Sequence, residues 1–269
     1  MIYSGLVSIT FRQLPPERIV ELARDCGLRG IEWGGDVHVP HGDLARAREV
    51  AAHTRDSGLV IAAYGSYYVA GEPTRVDFAA VADTALELGT RLVRVWAGDR
   101  GSEEADDDYT SAVVDDTRRI AEIAERSGLQ IAFEFHGGTL TDTNESATEF
   151  YSRLPEHTVR AYWQPGISYS REQRISGLRS LLPRLSNLHV FNWGADPGER
   201  FPLSDGREEW LEYLRLASSA DGDHFAMLEF VPADHPASLY PESNALNEMI
   251  GLVNKESSTA EQDGRNGND

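Results

Sequence analysis

Residues 123–134 read IAERSGLQIAFE, and the order of elements within them predicts the fold of the chain. An amphipathic helix ends at Gly128, and an apolar strand follows it almost at once. Glycine ends a helix readily because it adopts the left-handed conformation without a steric penalty. The same order of helix, glycine and strand recurs around Gly27, Gly58 and Gly89. Repeats of about one helix plus one strand indicate βα units and a parallel sheet.

Extending this rule along the chain predicts eight strands and eight helices. The strands are expected near 2–9, 30–33, 60–66, 92–97, 131–135, 159–164, 188–193 and 225–231. The helices are expected near 15–26, 43–57, 76–88, 109–127, 145–153, 171–182, 207–218 and 236–251. Eight alternating units in a chain of this length predict a (β/α)8 TIM barrel, an α/β fold with a single domain.

A doubly wound open sheet is the alternative fold. It would usually place a glycine-rich phosphate loop after the first strand, whereas residues 8–13 read SITFRQ. We therefore expect one barrel domain over residues 1–253. The polar segment 254–269, which is rich in Gly and Asn, is expected to be a disordered tail.

Charge and cysteine content exclude several classes of protein. The chain has 269 residues, a net charge of −19 and a single cysteine, Cys26. This charge opposes binding to nucleic-acid phosphates and to anionic lipids. One cysteine excludes an internal disulfide and a cysteine-based zinc cluster. Because neither a signal sequence nor a membrane-spanning apolar run is visible, we expect a cytoplasmic protein without nucleic-acid or membrane partners; homo-oligomerisation is left open.

Four polar side chains stand at the carboxyl ends of consecutive predicted strands, where the active sites of such barrels form. They are Glu134, Gln164, His189 and Glu229. A charged group in an apolar strand is costly unless it is paired or binds a metal. Carboxylate and amide oxygens and an imidazole nitrogen suit Mn²⁺, Mg²⁺, Co²⁺ or Zn²⁺. The pattern predicts a divalent metal site, with structural ion pairs, a core histidine and a loop-bonded glutamine as alternatives.

Candidate substrate contacts lie around this predicted centre. His38 belongs to a glycine-flexible loop after the second strand and is expected to contact a substrate hydroxyl, with a plain surface position as the alternative. Trp96 and Trp193 are expected to form an apolar wall against a substrate, with core packing as the alternative. His136, two residues beyond Glu134, either leans into the site or faces the helix layer.

In their order and strand spacing, Glu134, His189 and Glu229 resemble the metal ligands of the sugar phosphate isomerase/epimerase group of xylose isomerase-like barrels. The resemblance covers roughly residues 1–250. In that family, Glu, Asp, His and Glu usually hold one divalent metal. Gln164 stands where Asp is usual, which removes one negative charge from the site.

The resemblance implies a metal-dependent sugar isomerase or epimerase that acts on a small sugar or polyol. Glu134 and Glu229 would act as acid and base on the proton next to a carbonyl, through a metal-stabilised enediolate. Mn²⁺ is the expected metal. The resemblance also implies that Arg200, in the loop after the seventh strand, contacts substrate or supports Glu229; a solvent-facing arginine is the alternative.

Three alternative functions stay open at this point. A dehydratase of a cyclic polyol ketone would use the same enolate chemistry. Because Gln164 removes a charge, a barrel that merely binds a small polyhydroxylated ligand is the second alternative. The third, an endonuclease of the same superfamily, is disfavoured by the acidic charge and by the small number of histidines at strand ends.

Overall fold

Parallel strands close into a barrel in this computed structural model, which describes residues 1–266 except Pro73 and Pro197, without the side chains of 260–266. Within these residues, eight strands pair in chain order, and the last pairs with the first. The strands are β1 (Ile2–Val7), β2 (Gly30–Gly34), β3 (Val60–Val69), β4 (Leu92–Trp96), β5 (Gln130–Glu134), β6 (Val159–Trp163), β7 (Leu185–Val190) and β8 (His224–Leu228). The predicted single-domain (β/α)8 TIM barrel is confirmed.

The described helices alternate with the strands. They are α1 (Pro16–Asp25), α2 (Leu44–Asp56), α3 (Phe78–Leu88), α4 (Asp107–Arg126), α5 (Asn144–Ser152), α6 (Arg171–Leu181), α7 (Arg207–Ala217) and α8 (Leu239–Asn266). Several begin at a side chain that accepts a backbone N–H of the first turn, such as Asp106 and Ser170. Gly89 ends α3 with φ 79°, as the helix–glycine pattern predicts. None of the described helices is long and apolar enough to cross a membrane.

The pairing of β3 with β4 is irregular near the carboxyl end of the barrel. The register shifts between Gly65 and Tyr68, and Tyr67 within this bulge has φ 54°. A bulge re-aims the side chains of its strand. Here it places the ring of Tyr67 against the guanidinium of Arg94, 5.2 Å from the ring centroid.

The last helix extends further than the sequence predicts. α8 continues to Asn266 instead of ending near residue 251. The side chain of Asn254 exchanges two hydrogen bonds with the backbone N–H and C=O of Ile2, at 3.0 and 2.8 Å. These bonds anchor the beginning of the segment 254–269, which the sequence predicts to be a disordered tail. Most of that segment is helical, and residues 267–269 lie outside the described residues.

Candidate metal centre

The four predicted ligands converge at the carboxyl end of the barrel. Glu134 is the last residue of β5, while Gln164 and Glu229 directly follow β6 and β8. His189 lies within β7. Ligand atoms of Glu134, His189 and Glu229 lie within 4.8 Å of one another, and all three residues are buried. The topology of the barrel therefore brings together side chains that are far apart in sequence.

His189 Nδ1 is the atom on which three oxygens from three other strands converge. It lies 3.2 Å from Oε1 of Glu134, 3.3 Å from Oε2 of Glu229 and 3.3 Å from Oε1 of Gln164. A ring nitrogen carries at most one proton, so it cannot satisfy three oxygens. A divalent cation among them would meet three oxygens and one nitrogen, a donor set that such ions accept in proteins. The residues present therefore fit a metal ion.

The sequence leaves Gln164 open as a metal ligand or as a glutamine bonded to a loop, and its contacts fit both. Its amide nitrogen donates a hydrogen bond to the carbonyl of Phe135 at 2.8 Å. That bond fixes the amide plane, and the opposite oxygen faces His189. An amide oxygen held in this way is a preorganised neutral donor for a cation.

A buried cation lies beneath the cluster. Nε of Arg94 donates to Oε1 of Glu32 at 2.7 Å, and its Nη1 forms an ion pair with Oε2 of Glu134. Arg94 and Glu32 are 2 % and 0 % exposed. Because a buried charge is costly when it is unpaired, each side chain offsets the cost of burying the other. Arg94 is not among the residues predicted for the site, although an arginine within the apolar strand LVRVW is the same kind of signal that marks Glu134.

Burial and charge oppose each other in this cluster. Burial favours a higher pKa for Glu32 and Glu134, but Arg94 and His189 lower both pKa values, that of Glu32 to about 2. Burial favours a lower pKa for His189, but Glu229 and Glu134 raise that pKa well above its usual value. Glu32 and Glu134 are therefore held in the ionised form, and for Glu134 this is the form that binds a cation.

Gly65 makes room for the ion pair of Glu32 and Arg94. A Cβ at this position would lie 2.7 Å from Oε1 of Glu32 and 2.8 Å from Nη2 of Arg94. We expect Gly65→Ala to lower the free energy of unfolding by roughly 1–3 kcal/mol, the usual cost of overpacking a filled interior. Urea denaturation measures this loss.

The matched control is Gly251→Ala in α8, where the added Cβ meets no described atom within 4 Å. Alanine favours a helix over glycine by up to about 1 kcal/mol, so this variant should be unchanged or more stable. Equal stability of the two variants would contradict the crowding around Gly65.

A strained segment follows Glu229 and fixes its position. Phe230, Ala233 and Asp234 have φ angles of 54°, 59° and 47°. The left-handed conformation costs a non-glycine residue of order 1–3 kcal/mol and persists where the surroundings hold it. Here Oγ1 of Thr10 accepts the N–H of Phe230 at 3.0 Å. The backbone immediately after Glu229 is thus tied to the loop that follows β1.

Arg200 braces the same segment. It forms an ion pair with Asp234 and lies over the ring of Phe230, 4.6 Å from the centroid. Its buried Nε has no hydrogen-bond acceptor among the described residues. Arg200 is therefore not a solvent-facing arginine; it contacts the segment that follows Glu229, and its support of Glu229 stays a prediction.

A cavity of about 570 Å³ opens beside Gln164. Its walls are largely apolar and include the aromatic residues Phe135, Tyr169, Phe191 and Trp193, together with His136. Trp193 stacks on Phe191 with ring centroids 3.9 Å apart. The sequence predicts that Trp193 ends β7, but β7 stops at Val190. Trp193 instead lies in the following loop, where its backbone pairs with that of Arg200. The cavity is adjacent to the cluster and offers flat apolar surfaces.

Trp96 and His136 stack on each other at the mouth of the barrel, with centroids 5.0 Å apart. The indole N–H of Trp96 donates to Oε2 of Glu134 at 2.7 Å. Trp96 is not among the described residues that line the cavity, whereas His136 is. Trp96 therefore holds a carboxylate and His136 lines the cavity, while a substrate contact by either residue stays a prediction.

His38 is buried and does not occupy a surface position. Its Nδ1 lies 2.9 Å from Oγ of Ser8, and its ring meets the edge of Trp33. Burial lowers the pKa of His38. It is absent from the lining of the cavity in the described chain, so a substrate contact by His38 stays a prediction.

Fold and site together define an eight-stranded barrel with a carboxylate–histidine centre at the carboxyl ends of its strands. The chain belongs to the xylose isomerase-like TIM barrel family, whose family model matches residues 20–249. This membership confirms the resemblance predicted from Glu134, His189 and Glu229.

Several known proteins are similar to this chain over most of its length. A 3-dehydroshikimate dehydratase of Bacillus anthracis is 22% identical, with 93% of this chain and 83% of that protein covered. The crystal structure of AsbF, a probable 3-DHS dehydratase from Bacillus anthracis, has a TM-score of 0.75 at 23% identity and covers 92% of this chain and 99% of that chain. The structure of an L-ribulose 3-epimerase has a TM-score of 0.69 at 16% identity and covers 97% of this chain and 98% of that chain. At these identities, the structural likenesses show the fold.

Proposed function

We propose that the protein is a metal-dependent enzyme that removes a proton beside the carbonyl of a small polyhydroxylated ketone. The observation that carries this proposal is the convergence of three oxygens on Nδ1 of His189. Glu134, Gln164, His189 and Glu229 would hold the ion, with Mn²⁺ expected first and Mg²⁺, Co²⁺ or Zn²⁺ as alternatives. A bound divalent ion would stabilise the negative charge that develops on the substrate oxygen as the proton leaves.

Gln164 in place of the usual Asp leaves the centre negatively charged. Three carboxylates, those of Glu32, Glu134 and Glu229, lie there against the guanidinium of Arg94. The same carboxylates raise the pKa of His189, and its ring gives up that proton when it binds a cation. Two of these carboxylates face the convergence point directly. This charge balance still favours a divalent cation, so we prefer a metal-dependent enzyme over a barrel that only binds a ligand.

The two glutamates at the convergence point differ in how firmly they are held. Oε2 of Glu134 accepts hydrogen bonds from both Arg94 and Trp96. Within the described residues, the carboxylate of Glu229 contacts no donor other than His189. Glu229 is therefore freer to approach a substrate, and we assign it the first proton transfer. Glu134, which Arg94 and His189 hold ionised, is the second acid/base group and must take up a proton before it can return one.

Dehydration of a cyclic hydroxyketone is the first candidate reaction. The aromatic walls beside Gln164 suit the flat face of a ring. The similarity to a 3-dehydroshikimate dehydratase supports the same choice. In this reaction, Glu229 takes the proton beside the carbonyl, and a neighbouring hydroxyl leaves as water once an acid donates to it.

Isomerisation or epimerisation of a sugar is the second candidate reaction. Glu134 and Glu229 come from different strands and place two acid/base groups around one point. Such a pair allows a proton removed on one side of a substrate to be returned from the other. The likeness to an L-ribulose 3-epimerase supports the barrel on which this chemistry would take place.

Proton removal, the step common to both candidates, can be tested directly. The protein is incubated in D₂O with Mn²⁺ and either 3-dehydroshikimate or L-ribulose and related ketoses. We expect at least one compound to be dehydrated or to gain deuterium beside its carbonyl, as measured by mass spectrometry, and EDTA should stop this change.

The product then separates the two candidates. Loss of water with the ultraviolet absorbance of an aromatic ring identifies dehydration. Deuterium beside the carbonyl without loss of water identifies isomerisation or epimerisation. A protein that binds Mn²⁺ but gives neither result with any of these compounds would contradict the proposed function.

A further inference from the structure

The imidazole of His189 has a second nitrogen, and this atom points away from the convergence point. Its Nε2 lies 3.6 Å from Oε2 of Glu32. Both side chains are fully buried, at 1 % and 0 % exposure. Neither atom has a hydrogen-bond partner among the described residues. A buried donor or acceptor without a partner costs about 1–3 kcal/mol, so the two atoms are natural partners for a single proton.

Glu32 is held so that this particular oxygen remains available. Its Oε1 accepts the Nε–H of Arg94 at 2.7 Å. Arg94 also pairs with Glu134, so the guanidinium fixes both carboxylates relative to each other. The hydroxyl of Tyr162 accepts a hydrogen bond from Nδ2 of Asn187 at 2.9 Å, and Oε2 of Glu32 has no donor among the described residues. Oε2 of Glu32 is therefore oriented from the β2 side of the barrel toward β7.

We infer that Glu32 is a positioning residue that keeps the proton of His189 on Nε2 and leaves the lone pair of Nδ1 for a cation. A neutral imidazole carries one proton, so the nitrogen that donates to Glu32 decides which nitrogen binds metal. If the proton were on Nδ1 instead, that nitrogen would be blocked as a ligand. This inference rests on the proposed metal-dependent function and assigns a role to a residue that contacts none of the three oxygens at the convergence point.

The variant Glu32→Gln reverses this arrangement with little change in shape. Arg94 can only donate, so it must face the amide oxygen of the new side chain. The amide NH₂ then faces Nε2 of His189, turns that atom into an acceptor and moves the proton to Nδ1. We expect Mn²⁺ affinity, measured by isothermal titration calorimetry, to fall by roughly 10–100-fold, the usual effect of removing such a partner.

Glu242→Gln is the matched control. Glu242 is also a buried glutamate, but it lies in α8 and accepts the backbone N–H of Leu203 at 2.8 Å, away from His189. Its Mn²⁺ affinity should equal that of the wild type. A second measurement uses the wild-type protein with Zn²⁺, where long-range ¹H–¹⁵N NMR locates the proton on the His189 ring. Loss of that signal in His189→Asn assigns it.

Each result bears on the inference. Weaker Mn²⁺ binding by Glu32→Gln alone, with an Nε2-protonated ring in the wild type, supports it. Unchanged Mn²⁺ affinity in Glu32→Gln, or an Nδ1-protonated ring in the zinc-bound wild type, overturns it and leaves the proposed function standing. Should Glu32→Gln fail to fold, the NMR measurement decides alone. A wild-type protein that binds none of these metals overturns both proposals.

Discussion

Glu229→Gln is expected to lose turnover by on the order of 10²–10⁴-fold, the usual contribution of one acid/base group. Glutamine keeps the size of the side chain and an oxygen for His189, but it cannot accept the substrate proton. Because Glu229 has no described donor other than His189, the substitution leaves few contacts to disturb. Steady-state kinetics with the substrate identified by deuterium exchange measures the loss, and urea denaturation shows whether the fold is intact.

Glu242→Gln serves as the control here too, since it removes a buried carboxylate elsewhere in the barrel. That variant should keep wild-type turnover. A folded Glu229→Gln protein with turnover within a few-fold of the wild type would show that Glu229 takes no part in proton transfer. Glu134→Gln should also abolish turnover. If both variants kept their turnover, the proposed proton transfer by these two glutamates would be wrong.

Arg94→Met is expected to lower the free energy of unfolding by about 3–5 kcal/mol, the cost of breaking a buried ion pair by removing one partner. Methionine fills much of the same volume but leaves Glu32 and Glu134 without their guanidinium. Both carboxylates are almost completely buried, so water cannot replace it. Urea denaturation of the EDTA-treated protein measures the change without a contribution from bound metal.

A double variant tests whether the lost stability comes from the uncompensated carboxylates. Adding Glu32→Gln to Arg94→Met removes one of the two uncompensated charges and should recover part of the lost stability. Arg215→Met is the control, because Arg215 and Glu256 are each half exposed and such a pair contributes roughly 0–1 kcal/mol. Arg94→Met and Arg215→Met proteins of equal stability would contradict the role of Arg94.

Local sequence signals are sufficient to predict the barrel. Glycines such as Gly89 and Gly128 end helices in the left-handed conformation, and an apolar strand follows each. Because these signals involve neighbouring residues, they can be read without knowing the fold. The end of α8 could not be predicted in this way, because Asn254 is fixed by Ile2 at the other end of the chain.

The candidate metal centre was partly predictable from local signals and the barrel topology together. Glu134 and His189 stand in apolar strands, and the barrel topology places the carboxyl ends of those strands together. Arg94 also stands in an apolar strand, but its pairing with Glu32 was not predictable, since that pairing needs the absence of a side chain at Gly65. Side chains that pair across the interior of a closed barrel have no regular spacing in the sequence.

The hydrogen bond from Trp96 to Glu134 gives the protein a built-in optical probe. The indole touches the same carboxylate group that faces the convergence point, and it stacks on His136 at the cavity edge. Any redistribution of charge on that carboxylate changes the electric field at the indole ring. The fluorescence of Trp96, one of five tryptophans in the chain, should therefore change when a cation binds beside Glu134.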